Sequence, residues 1–310
     1  MKQKISLIVP CYNEGEGIEK FYSETMKTIN KIRENYEYEM IFIDDGSKDN
    51  TLEKLKELKS KDENIRIISF SRNFGKEAAM YAGLENFSGE YVVIMDADLQ
   101  NDPEIILEMI KGMEEKYDIV TTCRNRKGES AIKSMFARMF YAIMGNVGSV
   151  KIRQGSQDYR MMTRQVAESI LSLKEYNRFS KGIFNWVGFN VKYLEVENRP
   201  RVAGESKWNF KKLFKYAIDG ITSFTTAPLK ISIVLGFLIS ILSIIMGIAI
   251  IIETLTKGKV VPGYASTITA VLFIGGIQLI STGILSEYIS KMYMEIKQRP
   301  KYIIKEKIDK

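Results

Sequence analysis

Two long uncharged stretches in the last third of the chain limit most strongly what it can fold into. Ile231–Ile252 and Ala265–Ser286 contain no Asp, Glu, Lys or Arg, and each is long enough for a helix that crosses roughly 30 Å of hydrocarbon. Two buried helices of a soluble core are the alternative, which is disfavoured because unbroken apolar runs of this length are rare in soluble proteins. The sequence therefore predicts a transmembrane hairpin.

Basic residues flank the hairpin on one side. They are Lys211, Lys212, Lys215 and Lys230 before it and Lys291, Lys297, Arg299, Lys301, Lys305 and Lys307 after it, while the connecting loop has Lys257 and Lys259. Short basic segments stay on the cytoplasmic side of a bilayer. We therefore expect a multi-pass protein of the cell inner (plasma) membrane, with its N-terminal domain and both termini in the cytoplasm.

The first 125 residues alternate short β-branched runs with amphipathic stretches, a pattern typical of a parallel sheet covered by helices. The predicted strands are Ile5–Pro10, Glu39–Ile43, Ile65–Phe70, Tyr91–Met95 and Asp118–Cys123, with further strands near Tyr159–Thr163 and Val191–Val196 and a helix at Ile132–Ile143. We expect a cytoplasmic α/β domain (1–200), a juxtamembrane amphipathic region (201–230), two transmembrane helices (231–289) and a basic cytoplasmic tail (290–310).

Composition narrows the chemistry. The 310 residues carry a formal charge of +7, which suits a protein that meets anionic partners. The absence of histidine excludes Ser-His-Asp and Cys-His nucleophile systems, so catalysis has to rest on carboxylates, metal and basic residues. Cys11 and Cys123 are interpreted as two buried free thiols.

Acidic residues follow three of the predicted strands, where a sheet of this type binds its ligand. The segments are Pro10-Cys11-Tyr12-Asn13-Glu14, Asp44-Asp45-Gly46-Ser47-Lys48-Asp49 and Asp96-Ala97-Asp98-Leu99-Gln100. No G-x-G-x-x-G or G-x-x-x-x-G-K-[ST] occurs at these turns, which argues against a dinucleotide dehydrogenase or a P-loop NTPase. Asp96 and Asp98 can reach one hard cation that also takes oxygens from a diphosphate, and Gln100 is a further candidate ligand.

These segments, together with Gln157-Asp158-Tyr159-Arg160, resemble the family 2 glycosyltransferases, in order and in spacing. Asp-Ala-Asp-Leu-Gln and Arg201-Val202-Ala203-Gly204-Glu205-Ser206-Lys207-Trp208 are similar to the subgroup that transfers sugars to polyprenyl phosphates. The resemblance covers essentially the whole chain. It implies a GT-A fold, meaning a Rossmann-like nucleotide-sugar-binding domain with a mixed central sheet, followed by the hairpin.

The resemblance also implies site residues. Donor-binding residues would be Pro10, Tyr12, Glu14, Asp44, Asp45 and Asp96; the metal, Mg²⁺ or Mn²⁺, would be held by Asp96, Asp98 and Gln100; the catalytic carboxylate would be Asp158. A lipid phosphate is already largely ionised at neutral pH, so Asp158 is expected to orient the acceptor or a cation, with proton removal as a secondary role. A structural ion pair with Arg160 is the alternative for Asp158, and helix capping is the alternative for Ser47 and Asp49.

Basic residues are expected to receive the acceptor phosphate. They are Arg124, Lys133 and Arg138, on a loop and amphipathic helix, and Arg201 and Lys207 of the Arg-x-x-Gly-x-Ser-Lys pattern. A solvated basic loop is the alternative, and we favour it for Arg126 and Lys127. Because a polyprenyl phosphate keeps its tail in lipid, the hairpin should hold the domain at the bilayer, and truncation before Lys230 is expected to leave donor binding intact.

The function predicted from this resemblance is inverting transfer of a sugar, first of all glucose from UDP-glucose, to undecaprenyl phosphate. GDP-mannose, UDP-galactose and UDP-N-acetylglucosamine are the alternative donors, and a polysaccharide synthase is the alternative enzyme, although the chain lacks Q-x-x-R-W. The expected partners are the nucleotide sugar, the polyprenyl phosphate and the bilayer. A second copy of the chain, a flippase and a downstream glycosyltransferase are further candidates, and nucleic acid is not expected.

Overall fold

The computed structural model describes residues 2–124, 153–196, 218, 220–257 and 263–309. The strands are β1 (Gln3–Cys11), β2 (Tyr36–Asp44), β3 (Ile65–Phe70), β4 (Tyr91–Ile94), β5 (Ile119–Arg124), β6 (Ser156–Thr163), β7 (Val191–Val196) and β8 (Ile304–Ile308). The helices are α1 (Ile18–Ile32), α2 (Thr51–Lys61), α3 (Lys76–Asn86), α4 (Ile105–Glu114), α5 (Arg164–Ser172), α6 (Ser180–Trp186), α7 (Ala227–Lys257) and α8 (Tyr264–Lys297).

The strands form one mixed sheet in the order β7-β5-β6-β4-β1-β2-β3-β8. The neighbours β3, β2, β1 and β4 run parallel, whereas β6 is antiparallel to both β4 and β5. The start of β6 therefore lies at the same edge of the sheet as the carboxyl ends of the parallel strands. This edge collects the polar segments that the sequence singles out.

Helices cover both faces of the sheet, because alternate residues of each strand point to opposite faces. On β1, Leu7 and Val9 pack in the cluster that contains Phe21 of α1 and Met109 of α4. Ile8 of β1 packs in the other cluster, which also contains residues of α3, α5 and α6. The central strands are thus buried on both sides, as expected for parallel β-structure.

The predicted strands are present, and most boundaries shift by only one to three residues. Ile65–Phe70 and Val191–Val196 coincide with β3 and β7, while β1 and β2 extend further at both ends than predicted. Cys11 and Cys123 are buried free cysteines, as predicted. The helix predicted at Ile132–Ile143 lies outside the described residues.

Two C-terminal helices are long and apolar enough to cross a membrane. The candidate spans are Ala227–Thr256 and Ser266–Lys297. In each span, no residue of the most hydrophobic 18-residue stretch is buried inside the protein. A core helix of a soluble protein would bury this surface, so its exposure fits a lipid environment instead. The two spans match the uncharged stretches of the sequence.

The segment after the hairpin differs from the predicted basic tail. α8 continues to Lys297, and β8 then pairs antiparallel with β3, with Ile308 opposite Ile67 and Lys307 opposite Ile68. Residues 290–310 therefore contain the end of α8 and an edge strand of the catalytic sheet. The pairing also revises the expectation for truncation before Lys230, because that cut removes a strand of the sheet.

Gly83 allows α3 to lie close against β1. A Cβ atom at Gly83 would be 2.2 Å from Cγ2 and 3.2 Å from Cβ of the fully buried Ile8. Overpacking of this kind costs about 1–3 kcal/mol, so Gly83→Ala is expected to lower the midpoint of thermal unfolding. Circular dichroism in detergent would measure it, with Gly17→Ala as control because that Cβ meets nothing closer than Glu14 O at 4.0 Å. Equal midpoints for the two variants would contradict the prediction.

Candidate active site

The loops after β1 and β2 are joined by hydrogen bonds. Asn13 N donates to Ser47 Oγ (2.9 Å), Lys48 N donates to Asn13 Oδ1 (2.8 Å), and Asp45 N donates to the Cys11 carbonyl (2.9 Å). Asn13 adopts a left-handed backbone with φ 53°, which is uncommon for a residue other than glycine. These hydrogen bonds join residues 11–14 and 45–48 into one surface at the sheet edge, the loop wall.

Asp44 is buried at the end of β2 and is satisfied by protein donors. Its Oδ2 accepts from Ser69 Oγ (2.7 Å) and its Oδ1 accepts from Ser47 N (3.0 Å). A carboxylate oxygen can accept more than one hydrogen bond, so Asp44 keeps acceptor capacity beyond these two contacts.

Asp45 ties the same wall to the segment that follows β3. Its carboxylate accepts from Asn73 Nδ2 (2.9 Å), Phe74 N (2.6 Å) and Gly75 N (2.9 Å). Burial raises the pKa of Asp45 to about 6, against the opposing effect of the two backbone N–H groups. The predicted donor residue is therefore also the anchor of the turn that leads into α3.

The β4–β6 pairing directs the chain beyond β4 toward the start of β6, which brings Asp96 near Asp158. Ile94 pairs with Arg160 in antiparallel register, so continuing two residues along each strand brings the two aspartates together. Two carboxylates at one point repel each other, and a nearby cation favours the ionised form of both.

Lys76 supplies that cation. Its Nζ lies 2.6 Å from Asp96 Oδ1 and 2.7 Å from Asp158 Oδ2. Burial works against both charged forms, but the ion pairs outweigh it: the pKa of Asp158 is held below its usual range and that of Lys76 is raised. Asp158 thus forms an ion pair with Lys76, while Arg160, the partner in the alternative prediction, donates Nε to the Asp158 backbone carbonyl (3.2 Å). The Asp96 and Lys76 side chains are 35% and 40% exposed, so a solute can reach them.

Asp98 and Gln100 lie on the turn after β4. Gln100 N donates to Asp98 Oδ1 (3.1 Å), and Leu99 between them has a left-handed φ of 53°. Gln100 Oε1 accepts from Arg124 Nη2 at 2.8 Å. The predicted ligand Gln100 and the predicted phosphate-binding residue Arg124 are therefore hydrogen-bonded to each other.

The donor set suits a hard divalent cation, although it is incomplete without a ligand. Asp96 and Asp98 offer carboxylate oxygens, which Mg²⁺ and Mn²⁺ prefer. In the part of the chain that the structure describes, no group of three or more His, Cys, Asp or Glu side chains is placed to hold a metal. Diphosphate oxygens of a substrate would have to supply further ligands, which matches the way Mg²⁺ is commonly bound.

Several predicted site residues remain to be placed. Lys133, Arg138, Arg201 and Lys207 lie outside the described residues. Pro10 is the last residue but one of β1, and Tyr12 and Glu14 in the loop that follows are half-buried. The Glu14 carbonyl accepts from Gly17 N and Ile18 N at 3.0 Å each, in the turn that precedes α1.

Sequence reasoning missed Lys76. It is the first residue of α3 and follows the end of β3, so it belongs to the set of strand-end residues at the ligand-binding edge. The acidic residues after the other three strands drew attention away from the basic one here. Sheets of this type bind ligands beyond the carboxyl ends of their strands, and the same rule applied to the end of β3 would have identified Lys76.

The chain belongs to glycosyltransferase family 2. The model of that family, described as "Glycosyl transferase family 2", matches residues 6–171, and a second model, described as "GtrB C-terminal hairpin", matches residues 227–292. The first match contains the whole carboxylate edge, and the second contains most of α7 and α8. The protein is therefore a glycosyltransferase with an α/β catalytic domain and a C-terminal helical hairpin.

Relatives cover nearly the full chain. The putative glycosyltransferase CsbB of Bacillus subtilis is 47% identical over 99% of this chain and 93% of its own length. The bactoprenol glucosyl transferase of Shigella phage SfII is 43% identical over 97% of each chain. Among solved structures, a mannosyltransferase from Pyrobaculum calidifontis, in complex with GDP-Man and Mn²⁺, matches 95% of this chain and 85% of its own at 15% identity and a TM-score of 0.47.

Proposed function

We propose that this enzyme transfers a hexose from a nucleotide sugar to a polyprenyl phosphate such as undecaprenyl phosphate. Glucose from UDP-glucose is the first candidate. The transfer inverts the anomeric centre and uses Mg²⁺ or Mn²⁺. The observation that carries the proposal is the Asp96–Lys76–Asp158 bridge, because it joins the predicted donor carboxylate to the predicted acceptor carboxylate at one point. The membrane hairpin supports a lipid acceptor. The relatives named bactoprenol glucosyl transferases support the same acceptor and the choice of glucose as first donor.

The reaction is a single displacement. An acceptor phosphate oxygen forms a bond to the anomeric carbon as the bond from that carbon to the diphosphate oxygen breaks, and the nucleoside diphosphate leaves with the electron pair. A bound divalent cation would neutralise charge on the departing diphosphate. Asp96 and Asp98 are the residues proposed to hold it.

Asp158 is proposed to position the acceptor rather than to deprotonate it. A phosphate monoester has a second pKa near 6, so the nucleophile needs no strong base at neutral pH. The Lys76 ion pair keeps Asp158 ionised and holds its carboxylate within reach of the donor side. Arg124, Lys133, Arg138, Arg201 and Lys207 stay the proposed contacts of the acceptor phosphate.

The sheet supports the proposed topology. β1 precedes the hairpin and β8 follows it, yet both belong to one sheet. The chain must therefore enter and leave the hairpin on the same side of the bilayer. The basic flanking residues favour the cytoplasmic side, so we propose that the domain and both termini are cytoplasmic.

The test is transfer to a lipid. Membranes containing the protein receive labelled UDP-glucose and undecaprenyl phosphate, and we expect a negatively charged, chloroform-extractable sugar lipid. GDP-mannose, UDP-galactose and UDP-N-acetylglucosamine are assayed in parallel, so that a different donor is recognised as such. Transfer of sugar only into a growing polysaccharide, with no lipid product, would contradict the proposal.

The stereochemistry gives a further prediction. A single displacement inverts the anomeric centre, so an α-linked nucleotide sugar is expected to give a β-linked lipid product. The coupling constant of the anomeric proton in the NMR spectrum of the purified lipid measures it. An α-linked product would require a second nucleophile and would refute the mechanism.

A further inference from the structure

The segment that follows α8 contacts the end of β3, next to the residues that donate hydrogen bonds to Asp45. After Lys297 the chain turns back to the catalytic domain, and the Ile303 carbonyl accepts from Ser71 N at 2.9 Å, directly beyond the end of β3. Phe70 pairs with Ile304. Residues that follow the helical hairpin in the sequence thus contact the segment that leads from β3 to Lys76.

Tyr302 makes the closest aromatic contact at this place. Its ring stacks on Phe70 with centroids 4.7 Å apart and an interplanar angle of 18°. Phe70 in turn meets the ring of Phe74 edge-on, at 5.8 Å and 88°. The Tyr302 hydroxyl donates to Glu85 Oε2 (2.5 Å) on α3. Tyr302 therefore packs against both the end of β3 and the helix that begins with Lys76.

The segment between Phe70 and Lys76 contacts the loop wall at Asp45 and Gly46. Phe74 N and Gly75 N donate to Asp45, and the β2 loop lies so close that a Cβ on Gly46 would be 2.4 Å from the carbonyl carbon of Arg72. Gly46 also has a left-handed φ of 67°, which favours glycine. A shift of Phe74 would be transmitted to Asp45 and to this loop.

We propose that Tyr302 is a positioning residue for the nucleotide-sugar site, acting through Phe70 and Phe74 on Asp45. This role rests on the proposed function, because the proposed function assigns the loop wall, which includes Asp45, to binding of the nucleotide-sugar donor. The rest of β8 attaches elsewhere: Asp309 Oδ1 accepts from Arg66 Nε (2.8 Å) near the opposite end of β3, away from the wall. The two attachments can be removed separately.

The experiment compares three variants of the full-length protein in detergent. Tyr302→Ala removes the stack and is expected to raise the dissociation constant for UDP, measured by isothermal titration, by about 3- to 10-fold, in the range that aromatic pairs contribute. Tyr302→Phe keeps the stack and is expected to stay within about 2-fold of the unaltered protein. Asp309→Asn perturbs the strand at its other attachment, and its affinity for UDP is expected to be unchanged. The Michaelis constant for the acceptor should not move in any of them.

A ligand-free readout separates this inference from the proposed function. Hydrogen exchange of the Phe74 and Gly75 amides, which are bonded to Asp45, is expected to accelerate in Tyr302→Ala and not in Asp309→Asn. Unchanged exchange and unchanged UDP affinity in Tyr302→Ala would overturn the role, as would equal losses in Tyr302→Ala and Asp309→Asn. If the unaltered protein bound no UDP or GDP sugar, the proposed function would fail, and with it the role in donor binding, even where exchange changed as expected.

Discussion

Asp98→Asn is expected to lower sugar transfer by about 10²- to 10³-fold, the size of effect seen when one preorganised electrostatic contact to a developing charge is lost. Asp96 and Asp98 are the carboxylates at the carboxyl end of β4, and the proposed mechanism places the metal that neutralises the leaving diphosphate on them. EDTA should abolish transfer by the unaltered protein, and Mg²⁺ or Mn²⁺ should restore it. Initial rates against metal concentration measure both effects.

The control is a change of the same chemical kind away from the site. Glu108→Gln replaces an exposed carboxylate on α4 by an amide and should leave the rate and the metal requirement unchanged. Binding of Mn²⁺ in the presence of UDP, followed by the loss of its free EPR signal, should weaken in Asp98→Asn. Full turnover of the Asp98→Asn variant in excess EDTA would contradict the assignment of Asp96 and Asp98 as metal ligands.

Lys76→Met should be comparably damaging, because it leaves two carboxylates facing each other without their cation. Misplacement of a reacting group by about 1 Å can cost about 100-fold, and we expect a fall in kcat of that order. Asp158→Asn should also lower kcat by about 100-fold while donor affinity stays near that of the unaltered protein. Lys76→Arg, which retains the charge, should recover part of the activity.

A double-mutant cycle tests whether Lys76 and Asp158 act together. Residues in one ion-paired network give non-additive effects, so the Lys76→Met and Asp158→Asn double variant should be little worse than either single one. Lys54→Met is the matched control, because it breaks an ion pair with Glu19 on the surface, where such pairs contribute little. Additive losses of Lys76 and Asp158 would show that the bridge has no catalytic consequence.

Much of the sheet and its polar edge could be predicted from the sequence. The parallel strands are buried on both faces, so they are near-continuous apolar runs, and Ile65–Phe70 was predicted at its observed boundaries. Asp96 and Asp98 stood out because acidic residues directly after such a run are unusual. Their place near Asp158 required the register of β6, which periodicity does not report.

The missed features are non-local or lack an apolar pattern. β8 is an edge strand whose residues Lys305, Glu306 and Lys307 face largely to solvent, so its sequence resembles a charged tail. The hydrogen bond between Gln100 and Arg124 joins two predicted roles, and only the packing of the β4 turn against the end of β5 shows it. Lys76 is one basic residue among many and gains its meaning from the two carboxylates it contacts.

The position of β8 has a consequence for biosynthesis. Arg66 on β3 and Asp309 beyond β8 are 243 residues apart in sequence, which at about 5–20 residues per second corresponds to about 10–50 s of translation. During that interval the β3 edge has no partner on its outer side, and unpaired edges invite association with other chains. Both hydrophobic helices are made before β8, so the sheet is completed only after they have left the ribosome. Until β8 is made and pairs with β3, the nascent domain therefore keeps an open sheet edge that is exposed to aggregation and proteolysis.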